Sequence, residues 1–391
     1  MQRVFGLKTI LRIIGRLNVG GPAIHTILLT ALLRNEKYTS YLVTGTEGPT
    51  EGSMRYLAAD RGLDLIDIPE MGREISWKDD VTALWKLIKL MRAMKPDIIH
   101  THTAKAGTLG RVAAIIALPF HRKKLFHTFH GHVFHSYFSP MKTKVFILIE
   151  RFLGRFTDTI IAVSENTGKE LLDYKIASNS KIKVIPLGLD LDQFAHCETH
   201  RGELRDELGI PQEKIVLGIV ARLVPVKGIC YFLQAVKLLR ETQPDLFVLI
   251  VGDGELRNAL EERTDELGIR DIVRFLGYRK DLARIYADLD IVVLSSLNEG
   301  LPVSIIEAMS SGKVVVSTSV GGVSNLIAEG ATGFLSPPKD PEALAKSLEC
   351  AIMQKESWNE IGSRARKSAL GRFHISRLIS DIDRLYSEKA N

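Results

Sequence analysis

Two carboxylates eight residues apart, Glu299 and Glu307, lie in SSLNEGLPVSIIEAMSSG (295–312), and two cations, Arg222 and Lys227, lie in ARLVPVKG (221–228). Ionised carboxylates accept paired hydrogen bonds from vicinal hydroxyls, which sugars present. Two cations beside a helix N-terminus suit a diphosphate. Pro302 is expected in the first turn of a helix, and the backbone around Gly300, Leu301, Val303 and Ser304 would turn its N–H groups toward a bound phosphate. Each feature also has a plain reading: solvated surface cations, an exposed helix glutamate, a charge at a helix N-terminus. A third group is FHTFHGHVFHSYF (126–138), with His127, His130, His132 and His135. Its H-x2-H and H-x-H spacings occur in zinc sites. The segment holds no Asp, Glu or Cys, follows Lys123 and Lys124, and turns at Gly131, so successive histidines point different ways. No metal is expected there. His100 and His102, closing DIIHTH, either join the same pocket or are satisfied buried histidines.

These residues need a scaffold, and the hydropathy pattern supplies one. In the second half, IVLGIV, LFVLIVG, IVRFLG, DIVVLSS and VVVST read as strands buried on both faces, separated by stretches with helical spacing. Alternation of this kind predicts parallel strands with crossover helices, a doubly wound α/β sheet. The first half repeats the theme with TILRIIG, SYLVTG, DIIHTH, KLFHTFH, TIIAVS and KVIPLG. The expectation is two Rossmann-like domains facing across a cleft, the first over 1–195 and the second over 213–370. A polar linker over 196–212 would join them, and a terminal helix over 371–391 would cross back to the first. Ligands of such sheets sit beyond the carboxyl ends of the strands.

The 391 residues, 45% of them hydrophobic, exceed what one core usually supports, which agrees with two domains. No apolar run approaches the roughly 20 residues of a membrane span. The N-terminal stretch, interrupted by Lys8, Arg12 and Arg16, lacks a cleavage site, so a cytoplasmic location is expected. Cys197, Cys230 and Cys350 are scattered and odd in number, which supports neither disulfides nor a thiolate metal site. Residues 1–200 carry 27 Lys and Arg against 19 Asp and Glu, whereas residues 201–391 carry 25 against 27. An anionic partner for the first half follows, or simply a solvated basic surface. With no basic stripe interleaved with aromatics, nucleic acid is not expected. HRKK (121–124) and MKTKVFILIERFLGRF (141–156) set cations beside apolar residues, which suits peripheral contact with an anionic membrane. Equally, Phe146, Ile147, Ile149 and Phe152 could be helix core.

ARLVPVKG, VGDGELR, FLGYRKDLARIYADLDIVVLSSLNEGLPVSIIEAMSSGKVVVST and GGVSNLIAEGATGFL together resemble the nucleotide-sugar-binding domain of GT-B glycosyltransferases of the retaining family 4. In the first half RLNVGGPAIHT, DIIHTHTAKAGTLGR, HTFHGH, IAVSENT and VIPLGLDLDQF are similar to the same group, so the resemblance covers nearly the whole chain. It implies that Glu299 holds hydroxyls of the transferred sugar and Glu307 the ribose of the nucleotide. Arg222 and Lys227 would neutralise the departing diphosphate. Gly20 and Gly21 would let backbone approach the donor phosphates, Tyr278 and Arg279 would border the base, and Gly252 would lie in the same donor site. His130 matches the active-site histidine beside the donor sugar. One departure is Leu187, where family members commonly carry Asn.

The resemblance thus implies retaining, metal-independent transfer from a nucleoside diphosphate sugar, UDP being the favoured nucleotide, to a lipid-linked or other glycan acceptor in polysaccharide assembly. A sugar-nucleotide epimerase of the same architecture and a non-catalytic nucleotide-binding protein are the rival readings. The letters DxD at Asp190–Asp192 and Asp288–Asp290 fall in the expected linker and at a helix-to-strand junction, and a G-x-G-x-x-G fingerprint is broken by Arg257.

Overall fold

The structure, a computed structural model, describes residues 6–48, 52–72, 76–119, 123–131 and 140–388. The chain divides into two units, residues 1–189 with 375–391 and residues 190–374.

The first unit is a seven-stranded, all-parallel sheet with strands β1 Lys8–Ile14, β2 Tyr38–Thr44, β3 Leu65–Asp67, β4 Ile98–His102, β5 Lys124–Phe129, β6 Thr159–Ala162 and β7 Ile182–Val184. Their order is 3-2-1-4-5-6-7, so the winding reverses between β1 and β4. The crossovers are α1 Gly21–Leu32, α2 Arg55–Asp60, α3 Trp77–Met94, α4 Ala104–Ala117, α5 Pro140–Phe156 and α6 Glu165–Asp173. β1 is buried at every position after Lys8, as a strand covered on both faces must be.

In the second unit a six-stranded parallel sheet runs β8 Ile215–Val220, β9 Leu246–Val251, β10 Val273–Gly277, β11 Ile291–Leu294, β12 Val314–Thr318 and β13 Phe334–Ser336. The order 10-9-8-11-12-13 reverses between β8 and β11. Its helices are α7 Asp192–Ala195, α8 Glu203–Leu208, α9 Ile229–Arg240, α10 Arg257–Glu266, α11 Leu282–Asp288, α12 Val303–Ser310, α13 Pro341–Met353 and α14 Trp358–Phe373. A final helix, α15 Ile375–Ser387, belongs to the first unit, where Leu378, Ile382 and Tyr386 are buried against Ile10, Tyr38 and Phe126.

Three differences from the sequence reading have physical causes. The segment 196–212 is folded into the second unit, because both carboxylate oxygens of Asp288 accept the backbone N–H groups of Gly202, Leu204 and Arg205 at 2.6 to 3.1 Å. Asp290 accepts from Arg205 and from the Val216 N–H, each at 2.8 Å, so the DxD letters there are structural anchors. The terminal helix does not begin at 371. α14 ends at Phe373, His374 takes an extended backbone, and the Ile375 N–H donates to the Leu189 carbonyl. β3 and β13 escaped sequence reading, since three residues carry too little periodicity to register; β7, equally short, was read only through the longer apolar run KVIPLG.

Candidate functional site

At the carboxyl end of the second sheet the loops after β8, β11 and β12 lock together. Ser295 donates to the Lys227 carbonyl at 3.0 Å, and the Leu297 N–H to the Val226 carbonyl at 2.8 Å. Gly228, at φ 58°, leaves no room for a Cβ beside the Ser295 carbonyl. This contact brings Lys227 Nζ to 2.6 Å from Glu299 Oε1, which also accepts from Ser296 at 2.6 Å. Glu299 therefore presents a carboxylate already oriented by one cation and one hydroxyl. Arg222 is exposed and its side chain makes no hydrogen bond or ion pair among the described residues, which leaves its guanidinium available to an anion. Gly252, at φ 131° after β9, sits against the Ala221 carbonyl and holds the Arg222 loop from beneath.

A contact that the sequence did not reveal holds the same loop from the other side. Gly321 and Gly322, after β12, have backbone so close to the Glu299 and Gly300 carbonyls that a Cβ on either would overlap them. Thr318 donates to the Ser296 carbonyl at 2.6 Å. The GGVSN letters were visible, but not that they press on the loop carrying Glu299.

Glu307 lies on α12, one turn past Pro302, which stands just before the helix. Only 8% exposed, it accepts a hydrogen bond from Tyr286 at 3.1 Å. Burial pushes its carboxyl up to about 7, against the smaller lowering effect of the Tyr286 bond. A buried carboxylate with so few protein donors is unfinished as a binding group; hydroxyls from a ligand would complete it. Leu301, Val303 and Ser304 are half-buried at the helix start. Tyr278 is 47% exposed beyond β10, whereas Arg279 is committed to Asp281 at 2.6 and 2.8 Å and to Glu207 at 3.0 Å.

In the first unit Gly20 caps α1 in extended backbone, with Gly21 and Pro22 opening the helix. The histidines separate by sheet face. His127 points to the side of α4, where Thr101 bonds its Nδ1 at 2.8 Å and Gly107 makes room for the ring. His100, His102 and His130 share the opposite face, because i and i+2 positions of a strand point the same way and β4 pairs with β5. His100 is satisfied on both nitrogens, by Tyr386 at 2.6 Å and Thr128 at 2.7 Å. His102 Nδ1 meets His130 Nε2 at 3.0 Å. Burial drives His130 down to about 3, so its imidazole is neutral. His132 and His135 lie outside the described residues. His25, on α1, was not singled out in the sequence, yet its ring packs against His130 and His102 with centroids 5.0 and 5.8 Å away. Thr103, directly after His102, has φ 64° and ψ 160°, a region nearly reserved for glycine. Strain of this kind, on the order of 1–3 kcal/mol, tends to sit beside functional groups.

Residues 200–368 match the family described as Glycosyl transferases group 1, and residues 19–193 match Glycosyltransferase Family 4. The chain is 32% identical over 361 residues to a UDP-Gal:alpha-D-GlcNAc-diphosphoundecaprenol alpha-1,3-galactosyltransferase of Escherichia coli, covering 91% of this chain and 90% of that one. It is 26% identical to the capsular polysaccharide biosynthesis glycosyltransferase CapM of Staphylococcus aureus, over 83% of this chain and 85% of CapM. In fold it is similar to Anabaena Alr3699/HepE, solved in complex with UDP, at a TM-score of 0.82 and 24% identity over 97% of this chain and 99% of that one. With two parallel Rossmann-like sheets, the paired Lys227 and Glu299 and the helix-borne Glu307 beyond the second, and matches along both halves, this chain belongs to the family 4, group 1 glycosyltransferases of GT-B fold.

Proposed function

We propose that the protein transfers a hexosyl group from a UDP-sugar, with retention at the anomeric carbon, to a sugar on a lipid-linked diphosphate. The observation that carries the donor half is the pre-built second-unit site: a cation-paired Glu299 beside a buried, under-bonded Glu307. Glu307 is assigned to the ribose hydroxyls and Glu299 to hydroxyls of the transferred sugar. Arg222 and Lys227 neutralise the leaving diphosphate in place of a divalent cation, with the backbone N–H groups of Leu301, Val303 and Ser304 adding to them. Tyr278 borders the base, with Arg279 holding that loop through Asp281 and Glu207. Gly20 and Gly21 are assigned to backbone approach to the donor phosphates, and His130 to the donor sugar. Glu299 is tied to Lys227 and Ser296, so it is not cast as a nucleophile. The acceptor hydroxyl attacks from the face the diphosphate leaves, and its proton passes to the leaving oxygen.

The acceptor class rests on the Escherichia coli relative, whose name gives both a UDP-sugar donor and a diphosphoundecaprenol acceptor. A surface feature supports it. On α5, Val145, Leu148, Ile149, Phe152 and Phe156 are exposed along one stripe, while Phe146 and Ile147 pack inward. The helix-core alternative thus fits only the latter two. Lys144, Arg151 and Arg155 flank the stripe, and a basic depression of about 570 Å³ lined by Arg151, Arg155, Lys175 and Lys181 adjoins it. We assign this face to peripheral contact with an anionic membrane at the cytoplasmic side. Among the described residues no helix is long and apolar enough to cross a membrane.

The first test is ligand-dependent melting with UDP, GDP and ADP and their sugars, using UDP-galactose first. Stabilisation by the uridine compounds, lost in Glu307→Ala, is expected. No response to any nucleotide removes the proposal.

A further inference from the structure

Helix α3 is apolar on two sides. Ala83, Leu87 and Met91, at four-residue spacing, are buried in the core of the first unit. On the outer side Trp77, Val81 and Trp85, at the same spacing, are 82%, 46% and 60% exposed. Single exposed apolar residues are ordinary, but two tryptophans and a valine in one helical row make a patch that marks a contact surface. Lys78, Lys89 and Arg92 are exposed on the side of Trp85, and Lys89 Nζ stands 5.4 Å from the centre of its ring. At about 3.6 residues per turn, the carboxylates of the helix, Asp79 and Asp80, fall away from Trp85. Asp80 is paired with Lys105 of α4 at 2.6 Å. The outer face of α3 is thus both apolar and cationic.

We infer that this face lies on a bilayer carrying anionic lipid, with Trp77 and Trp85 at the level of the headgroups. An indole has an apolar body and one N–H donor, which suits the boundary between acyl chains and water. Lys78, Lys89 and Arg92 add attraction to lipid phosphates. A second copy of the chain fits worse, because a two-fold contact would set these cations against their own copies. The inference extends the membrane contact assigned to α5 and rests on that reading for its class of partner. α4 links the two helices, since Lys105 holds Asp80 of α3 and Arg111 holds Glu150 of α5, so the three cover one face of the sheet. Lys105 stands at the start of α4, just after His102 closes β4. Its bond to Asp80 places the Trp77 end of α3 at the carboxyl end of the sheet, where His130 follows β5. The tryptophans therefore anchor the end of the first unit at which a lipid-linked acceptor must arrive.

The test mixes the full chain with vesicles of phosphatidylglycerol and phosphatidylcholine whose acyl chains are brominated near the headgroup, and reads tryptophan emission beside flotation. The vesicles should shift the emission to the blue and quench it. Both effects should vanish in the Trp77→Phe, Trp85→Phe double variant, whose remaining tryptophan is Trp358 of the second unit. Trp85→Glu should weaken partition onto these vesicles at least about tenfold, since it takes one indole out of the contact. An unchanged melting temperature, measured without lipid, reports that each variant is folded. Flotation with no quenching overturns the inference and leaves the α5 assignment standing, whereas no flotation at all removes both. Equal quenching by vesicles of phosphatidylcholine alone overturns the anionic partner. Concentration-dependent dimerisation that Trp85→Glu abolishes, with emission unmoved by vesicles, overturns the inference in favour of a second copy.

Discussion

Replacing Glu307 by Gln tests the donor site through protonation rather than activity. The folded protein holds this carboxyl near 7, whereas an unfolded chain holds it near 4.3. Between those values the native state binds more protons than the unfolded state, so stability falls as pH rises through the window. At 1.36 kcal/mol per pH unit the loss attributable to Glu307 is on the order of 3 kcal/mol by pH 8. Gln is uncharged, keeps an oxygen for the Tyr286 hydroxyl and escapes that loss. Glu307→Gln without ligand should therefore match the wild type at pH 4.5 and exceed it by about 3 kcal/mol at pH 8. Of the three tryptophans, Trp77 and Trp85 lie in the first unit and Trp358 in the second, so the comparison is made in a Trp77→Phe, Trp85→Phe background. Urea denaturation read by Trp358 fluorescence then follows the second unit alone. UDP affinity should move the opposite way. Ribose hydroxyls donate to the ionised carboxylate, so binding expels its proton and Kd rises up to about tenfold per pH unit below 7. Gln should weaken UDP about 10- to 100-fold at pH 8. Parallel stability curves for the two proteins from pH 4.5 to 8 would refute the reasoning, because the carboxyl would then be solvated.

Lys227→Ala should lower kcat about 100-fold or more, measured with saturating donor, since it removes a charge on the leaving diphosphate and releases Glu299. Gly322→Ala should cost at least about tenfold in kcat/KM with little change in melting, because the new methyl pushes against the Gly300 carbonyl and displaces the Glu299 loop. Arg111 Nη2 bonds Glu150 at 2.6 and 2.8 Å with both side chains fully buried between α4 and α5, so Glu150→Ala should destabilise the first unit by about 3–5 kcal/mol in denaturant titrations. Phe152→Asp should reduce flotation with phosphatidylglycerol vesicles while leaving transfer to a short-chain acceptor unchanged; flotation insensitive to both lipid charge and this variant removes the membrane assignment.

What the sequence made legible was local. Hydropathy put Glu299, Arg222 and Lys227 in loops at strand ends and Glu307 on the helix that follows, but each kept a plain reading as a surface charge, and their roles came only from the family resemblance. The strands were legible because parallel strands are apolar on both faces. What stayed hidden depends on neighbours far apart in the chain. Asp288 fitted the letters DxD at a helix-to-strand junction, and only the fold shows it accepting three N–H groups from Gly202, Leu204 and Arg205 at the start of α8. Arg12 looked like a charge interrupting an apolar run, yet it is fully buried and bonded to Ser40 and Tyr386. The backbone of Thr103 and the meeting of His25 with His102 have no signature in composition or period, since both are set by how β1, β4 and β5 adjoin.

The docking of α15 in the first unit bears on the order of events during synthesis. Residues 8–184 emerge from the ribosome with all seven strands of their sheet, but the face carrying Ile10 and Phe126 lacks its cover, and His100 lacks the Tyr386 hydroxyl. The second unit, encoded later, has its whole core between residues 190 and 374 and can finish first. At about 5–20 residues per second, the N-terminal sheet waits roughly 10–40 seconds with an apolar face open. During that interval the first unit exposes this apolar face, and termination between residue 374 and Leu378 would yield a chain with one finished domain and one without its cover.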